Sequence, residues 1–593
     1  MKIKCVLLFV LPLISSAMSV TVVPSAVSPA PLGTVVEFRV SVEGTDSVNL
    51  TYRFRTRRVG PQTLQRRYRT VIDYGPDPSF EWTTIESEGH YEIEASVLDR
   101  TTGETASEVV PFEFSRLAGA LPVVTPTRHP LVFIYSAPPC PEGARMRVQF
   151  ETGGVSGSQT SYKDCNGRTT MNFYLAGMGA TTEYKAWHVI EISGMMFPGS
   201  PVSFVTGLVS MSTPWAAAMA RLMPGYCEIL LQSVINENPI ATDLSGNLLW
   251  YGPSGLSLLT RMRYGGTFLG IHEDGATDPS YQTFREFDLT GITLAETNAQ
   301  RVSDQLIAKG LRPITSFHHE AIHLPDGRFL VLGGSEQIMD DVQGQGPIDI
   351  LGDTIIVLDG NLQVVWVWDS FDHLDPNRAA VLGESCNYPA SLACSTFYQA
   401  ATAHDWLHGN SLQLTPDGNI LYSVRHQDWV VKIDYQNGAG TGQVLWRLGL
   451  GGDFTLLDGD DSQWFSHQHD AEILPDGVSL LLFDNGNTRI SNNSGQGSSR
   501  GQLWRLDEAA LTAKLVLNAD LLVNSSALGT AQLLPNGNYH FDAGFVPDPA
   551  NPANRITRAL EIDPSGNVVW CTQISAQQYR SFRLNDMYTP PLQ

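Results

Sequence analysis

Apolar and polar residues alternate along short segments near the start of the chain: VVEFRVSVE at 35–43, LTYRFRT at 50–56, YEIEASVLD at 91–99 and VVPFEFS at 109–115. A period of two puts successive side chains on opposite faces, so each segment reads as a half-buried β-strand. Their spacing predicts a small immunoglobulin-like β-sandwich over residues 20–118. LAGALPVVTPTRHP at 117–130 reads as a linker. A second β-rich domain is assigned to 119–205, with MNFYLAGMGATTEYKAWHVI at 171–190 within it.

From about residue 220 the pattern repeats, which takes precedence over any local reading. Six segments carry apolar residues beside an Asp and most end near a Trp: ATDLSGNLLW at Asp243, EFDLTGITLA at Asp288, VLDGNLQVVW at Asp359, KIDYQNGAGTGQVLW at Asp434, RLDEAALTAKLVLN at Asp507 and EIDPSGNVVW at Asp563. Between them stand turns of a second kind, RYGGTFLG at Gly266, LPDGRFLVLGG at Gly327, TPDGNILYSVR at Gly418, LPDGVSLLLFDNG at Gly477 and LPNGNYHFDAG at Gly537. Strict alternation gives two hairpins per unit, the content of one four-stranded propeller blade. The fold class is therefore all-β, with a six-bladed β-propeller over 206–593 behind the N-terminal sandwich domains.

Composition agrees with a folded, turn-rich chain of several cores: 593 residues, 42% hydrophobic, 53 Gly and 35 Pro. The formal net charge is −23 and no run of Lys and Arg appears, which argues against nucleic acid and anionic membrane surfaces as partners. MKIKCVLLFVLPLISSAMSV has the charged start, short apolar stretch and small residues of a secretory signal, assigned to 1–19. The expectation is a periplasmic or secreted protein without a stable membrane span. Six cysteines remain after Cys5, and proximity pairs Cys140 with Cys165 and Cys386 with Cys394, leaving Cys227 and Cys571 for each other.

Of the 14 histidines, nine lie between His318 and His469. Counted back from the turn glycines, His469 and His319 stand eight residues before Gly477 and Gly327, and His408 stands ten before Gly418. The difference of two is the strand period, so all three can share a face, and equivalent positions of successive blades converge on the axis. Arg425 follows Gly418 at the place held by Asp484 and Gly334 in neighbouring units. His318, His323, His404, His426 and His467 differ in register and read as supporting or solvated. Asp484, Asn485 and Arg489 in FDNGNTR read equally as a turn or as support for the site. Trp406, Tyr422, Trp429, Trp464 and Phe465 read first as blade packing and second as walls for a ring.

A neutral imidazole is a nucleophile or proton carrier near pH 7, and a guanidinium offers a planar fork of donors to tetrahedral oxyanions. Together they describe transfer of such a group through a covalent His adduct. The strings LHGNS at 407–411, SVRHQDWVVKID at 423–434, QHDAEILPDG at 468–477 and FDNGNTR at 483–489 resemble the bacterial arylsulfate sulfotransferases that use no nucleotide sulfate donor, as does MNFYLAGMGATTEY at 171–184. The resemblance covers roughly 130–590 and leaves the first sandwich outside.

It implies a periplasmic enzyme, often a homodimer, that moves a sulfuryl group from an aryl sulfate donor to a phenolic acceptor by a ping-pong route through a sulfohistidine. Position by position, the nucleophile falls on His469, the supporting histidines on His408 and His319, and the arginine on Arg425. His318 competes with His319, whose register fits better. Asn410, in LHGNS, joins the candidates for binding or support. No cofactor and no metal are implied. Two rivals stand beside this reading: a metal-dependent hydrolase or lyase holding zinc on three imidazoles, and a binding propeller without catalysis.

Overall fold

The computed structural model describes residues 17–60, 67–153, 158–211, 216–221, 228–272, 278–388 and 394–591. Residues 1–16 of the expected signal and Cys227 of the expected third disulfide lie outside them. Cys140 is bonded to Cys165 and Cys386 to Cys394. The described chain is all-β, with only short helices between strands.

The alternating segments pair into two sheets. Ser19–Pro24, Val36–Glu43 and Ser79–Trp82 make one sheet, and the other is built on Leu50–Val59, Gly89–Asp99 and Thr105–Ser115. Val36, Phe38, Phe54, Phe80, Ile93 and Phe114 fill the space between. The edge strand Arg69–Gly75 pairs in parallel with Thr293–Asn298, Ile72 opposite Glu296, so the sandwich sheet runs on into the C-terminal region. Arg301 Nε fixes the joint on Asp73 Oδ2 at 2.9 Å. The domain outside the family resemblance is thus sewn to the rest by backbone hydrogen bonds.

The segment 119–205 shares its core with the C-terminal region. Phe133, Phe173 and Met178 lie in one cluster with Trp250, Phe268, Phe287 and Tyr588. Tyr588 OH accepts from Ala176 N at 2.8 Å and donates to Tyr174 O at 3.0 Å, tying the end of the chain to it.

Beyond it, among the described residues, come six antiparallel runs of four strands. Their first strands are Leu258–Arg263, Ser316–His323, Gly409–Leu414, His469–Ile473, Thr530–Leu533 and Gln578–Leu584. Each touches the next, and the last touches the first, closing a ring. The last run takes its first strand from the end of the chain and pairs it with Ile229–Val234, near the opening of the region. This explains why six Asp turns meet only five Gly turns: one run is closed by hydrogen bonds between distant segments instead of by a hairpin.

The repeated Asp residues are turn staples. Asp243, Asp359 and Asp563 each accept on Oδ1 from two backbone N–H groups, two and four residues on, between the third and fourth strands. That is the local chemistry for which Asp is favoured in turns.

The centre of the ring is charged. Arg261 lies 2.9 Å from Glu320 and 2.7 Å from Asp470, and Arg580 lies 2.7 Å from Glu320, all on first strands and all buried. Removing one partner of such a network costs about 3–5 kcal/mol because an uncompensated buried charge is left.

Asp542, fully buried on Tyr539–Pro547, the second strand of the fifth run, gives a cleaner test of burial. Desolvation pushes its carboxyl up to about 8. A group whose folded value is raised contributes stability below its unfolded value of about 3.9 and loses it as pH rises through the folded value. Asp542→Asn is therefore expected to gain stability over the parent as pH rises from about 4 to 8, by on the order of 5 kcal/mol at the upper end. Thermal melts across that range check it.

Candidate functional site

His319 lies within Ser316–His323, His408 just before Gly409–Leu414 and His469 at the head of His469–Ile473, on three successive first strands, where the strand period fails. The ladder slips between Phe317 and Ala321, between Gly409 and Ser411, and between His469 and Glu472. His319 and His408 have φ of 55° and 52°, and Asp470, next to His469, has 50°. These bulges, not an unbroken two-residue repeat, turn the imidazoles to one place. His319 and His408 have ring centroids 4.8 Å apart. His408 and Arg425 both act electrostatically on His319 and on His469.

The row of imidazoles is longer than the register suggested. His318 Nδ1 lies 3.0 Å from His319 Nδ1, His408 and His426 rings are 4.6 Å apart, and His426 and His467 5.6 Å. His426 and His467, expected to be supporting or solvated, are buried at 2% and 0% exposure, and Arg425 Nη1 contacts His426 Nε2. His323 and His404 stand apart, bonded to Leu324 O and Gln343.

Each imidazole has a fixed partner. Asn485 donates from Nδ2 to Ser525 O at 2.7 Å and Leu528 O at 2.9 Å, which leaves its Oδ1 as acceptor. That oxygen lies 2.7 Å from His469 Nδ1. His469 must therefore carry its proton on Nδ1 and keep a lone pair on Nε2. Burial first, then the Arg425 charge, holds its pKa well below the ordinary 6.5, so the ring is neutral near pH 7. Burial, with His408 next, does the same to His319.

His408 Nδ1 lies 2.7 Å from Asp405 Oδ2. His467 is the exception: against burial, its bonds to Asp428 at 2.8 Å and Glu384 at 2.5 Å raise its pKa.

Arg425 donates from Nη2 to Ser526 O at 3.2 Å, while its Nε is buried with no hydrogen-bond partner among the described residues. Such an orphan donor beside neutral imidazoles is a place for an anion's oxygen.

The other expected residues divide. Asn410 anchors strands, donating to Gln468 O at 2.7 Å while its carbonyl accepts from Tyr579 and Arg580. Asp484 accepts from Ser466 N at 2.9 Å and Arg489 Nη2 at 3.0 Å, and Arg489 also holds Ser498 O, so this pair braces the turn. Trp406, Tyr422, Trp429, Trp464 and Phe465 are buried in packing clusters.

Sequence reasoning missed Asp405, three residues before His408 in HDWLH, and Asp353, one of two Asp residues in the otherwise mostly apolar strand Pro347–Leu358. Both offered a signal: a carboxylate within one turn of a candidate His, and a charge where burial is expected.

Two groups could hold a metal by proximity, Asp405 with His408 and His426, and Glu384 with His426 and His467, their ligand atoms within 4.8 Å. His426, common to both, is in contact with the Arg425 guanidinium, whose fixed positive charge opposes a dication there. The third group takes in Cys386 and Cys394, which are spent in a disulfide.

Comparison with known proteins gives the site a context. Arylsulfate sulfotransferase AssT of Escherichia coli O6:H1 is 30% identical over 205 residues, and the match spans 31% of this chain and 31% of that protein. Among solved structures, the chicken interferon gamma receptor alpha chain matches 31% of this chain and 98% of its own at 11% identity, with a TM-score of 0.13, too slight to bear on the fold. The family model described as Arylsulfotransferase (ASST) matches residues 200–584, which holds every imidazole of the row, and the chain belongs to that family.

Proposed function

We propose that this protein is an exported arylsulfate sulfotransferase whose six four-stranded runs form a six-bladed propeller, and that it works by a ping-pong route through a sulfohistidine at His469. The closed ring of first strands supports the propeller. Two disulfides fit an oxidising compartment. The observation that carries the chemistry is the Asn485 amide, which leaves Nε2 of a neutral His469 free to attack.

In the first half-reaction the His469 Nε2 lone pair bonds to sulfur as the bond from sulfur to the aryl oxygen breaks, and the phenolate departs with that electron pair. The adduct puts positive charge on the ring, which Asn485 Oδ1 offsets at the Nδ1–H. Arg425 donates to the sulfuryl oxygens, and Asp405 holds the His408 ring beside them through Nδ1. A loose transition state of this kind is served by positioning and charge, and a sulfuryl group carries too little charge to require a metal. In the second half, an acceptor phenol gives its proton to His319, its oxygen bonds to sulfur, and the electron pair of the nitrogen–sulfur bond returns to His469.

Incubation with an activated aryl sulfate and no acceptor, followed by intact-mass measurement and peptide mapping, tests this. One sulfuryl group on His469, discharged by added phenol, is expected. Phenol sulfation with no label on His469 refutes the route.

A further inference from the structure

Behind His319 lies a buried chain of polar groups that the proposed chemistry leaves unused. Asp353, 2% exposed, accepts from Gly409 N at 2.8 Å and from Tyr422 OH, and its Oδ1 lies 3.1 Å from His318 Nε2. His318, 1% exposed, meets His319 through Nδ1 on both rings at 3.0 Å. With two donors already on it, Asp353 is an acceptor throughout, and a lone pair on His318 Nε2 would be repelled by its Oδ1 at 3.1 Å, so His318 carries its proton on Nε2. Its Nδ1 is then a lone pair, and the hydrogen of the Nδ1 to Nδ1 bond must belong to His319.

We propose that Asp353 and His318 are positioning residues that hold His319 as the tautomer protonated on Nδ1, so that its Nε2 faces the substrate as the base for the acceptor phenol. This rests on the sulfotransferase reading and names what sets the proton acceptor in it. When Nε2 takes the phenolic proton, His319 becomes an imidazolium whose Nδ1–H still points to His318, and the Asp353 carboxylate offsets the charge through the intervening ring. No proton leaves the relay, so the step balances locally.

The groups facing His319 are His318, His408, His469, Arg425 and the Tyr579 ring, whose centroid is 5.8 Å away. Of these, His318 is the one placed to share a ring-to-ring hydrogen bond with His319, and its far nitrogen faces a carboxylate. Against burial, the neighbouring His318 ring and the Tyr422 hydroxyl keep Asp353 below the ordinary carboxylate value, in keeping with an anion.

Asp353→Asn inverts the relay. The amide can donate to His318 Nε2, which moves the His318 proton to Nδ1 and forces the His319 proton onto Nε2. In the serine protease triad the corresponding exchange costs about 10⁴-fold through the wrong tautomer. Transfer from sulfurylated His469 to an unactivated phenol is expected to fall about 10³-fold or more, while uptake from an aryl sulfate with a strongly acidic phenol, which departs without a proton, changes less than about threefold. Equal loss in both halves, or loss in neither, overturns the proposal.

Should the variant fold poorly, nitrogen NMR of the wild-type protein labelled in histidine decides, the His319 signals being assigned by their absence in His319→Gln. A bare Nε2 and a protonated Nδ1 are expected, and the reverse overturns it. Failure of the sulfotransferase reading would show separately, as wild-type protein that takes no label on His469.

Discussion

His469→Ala is expected to take up no sulfuryl group at that position and to lose aryl sulfate turnover by roughly 10⁴-fold or more, the scale seen when a covalent nucleophile is removed. The effect should be this large because two of the neighbouring rings are bonded on both nitrogens, His426 to Asp405 O and the Arg425 guanidinium and His467 to Asp428 and Glu384. His319 and His408, the latter engaged by Asp405 through Nδ1 alone, keep a second nitrogen, so residual label on either in the variant is the informative alternative, and peptide mapping would find it. His469 makes a side-chain hydrogen bond to Asn485 and carries no charge, so the variant is expected to fold, and its thermal melt should stay within a few degrees of the parent. Turnover near the parent rate would refute the nucleophile.

Arg425→Ala is expected to cost about 3 kcal/mol in kcat/KM, or about 100- to 1000-fold, the scale of removing one preorganised oxyanion donor. The loss should fall on KM as well as kcat, since the fork holds the sulfuryl oxygens in the bound donor and in the loose transition state alike. Arg425→Lys restores the charge but not the paired planar donors, so only part of the loss should return. The field of the guanidinium supplies a second signature. Arg425 depresses the pKa of His469 and His426, so its removal should raise both. The acid limb of sulfuryl uptake, set by protonation of His469, should then move to higher pH in Arg425→Ala. Quenched single-turnover uptake across pH measures it, and an unmoved limb would place Arg425 away from the nucleophile.

Much of the architecture was legible in the chain because it is written in local chemistry. Alternation marked the sandwich strands, and Asp residues that bond the backbone two and four residues on marked the turns between third and fourth strands. Both depend on neighbours within a few positions. The shared core of 119–205 with Trp250 and Phe287, and the pairing of Arg69–Gly75 with Thr293–Asn298, carry no such local mark. They join segments far apart along the chain whose faces look apolar from either side.

The site shows the same division more sharply. Sequence alone determined that nine of the 14 histidines, with Arg425 among them, fall between 318 and 469. Tertiary structure decided which partner each imidazole meets. Counting by twos from the turn glycines brought His319, His408 and His469 forward, yet the His319 and His408 rings meet where bulges with left-handed residues break that count. The count also set aside His426 and His467, which burial and Arg425 draw into the row. Protonation state was beyond any spacing rule: the lone pair on His469 depends on an amide turned by Ser525 and Leu528, and the hydrogen between His318 and His319 on a carboxylate from a distant strand. A hydrogen bond fixes a tautomer only through its direction in space, and direction is what a one-dimensional pattern does not contain.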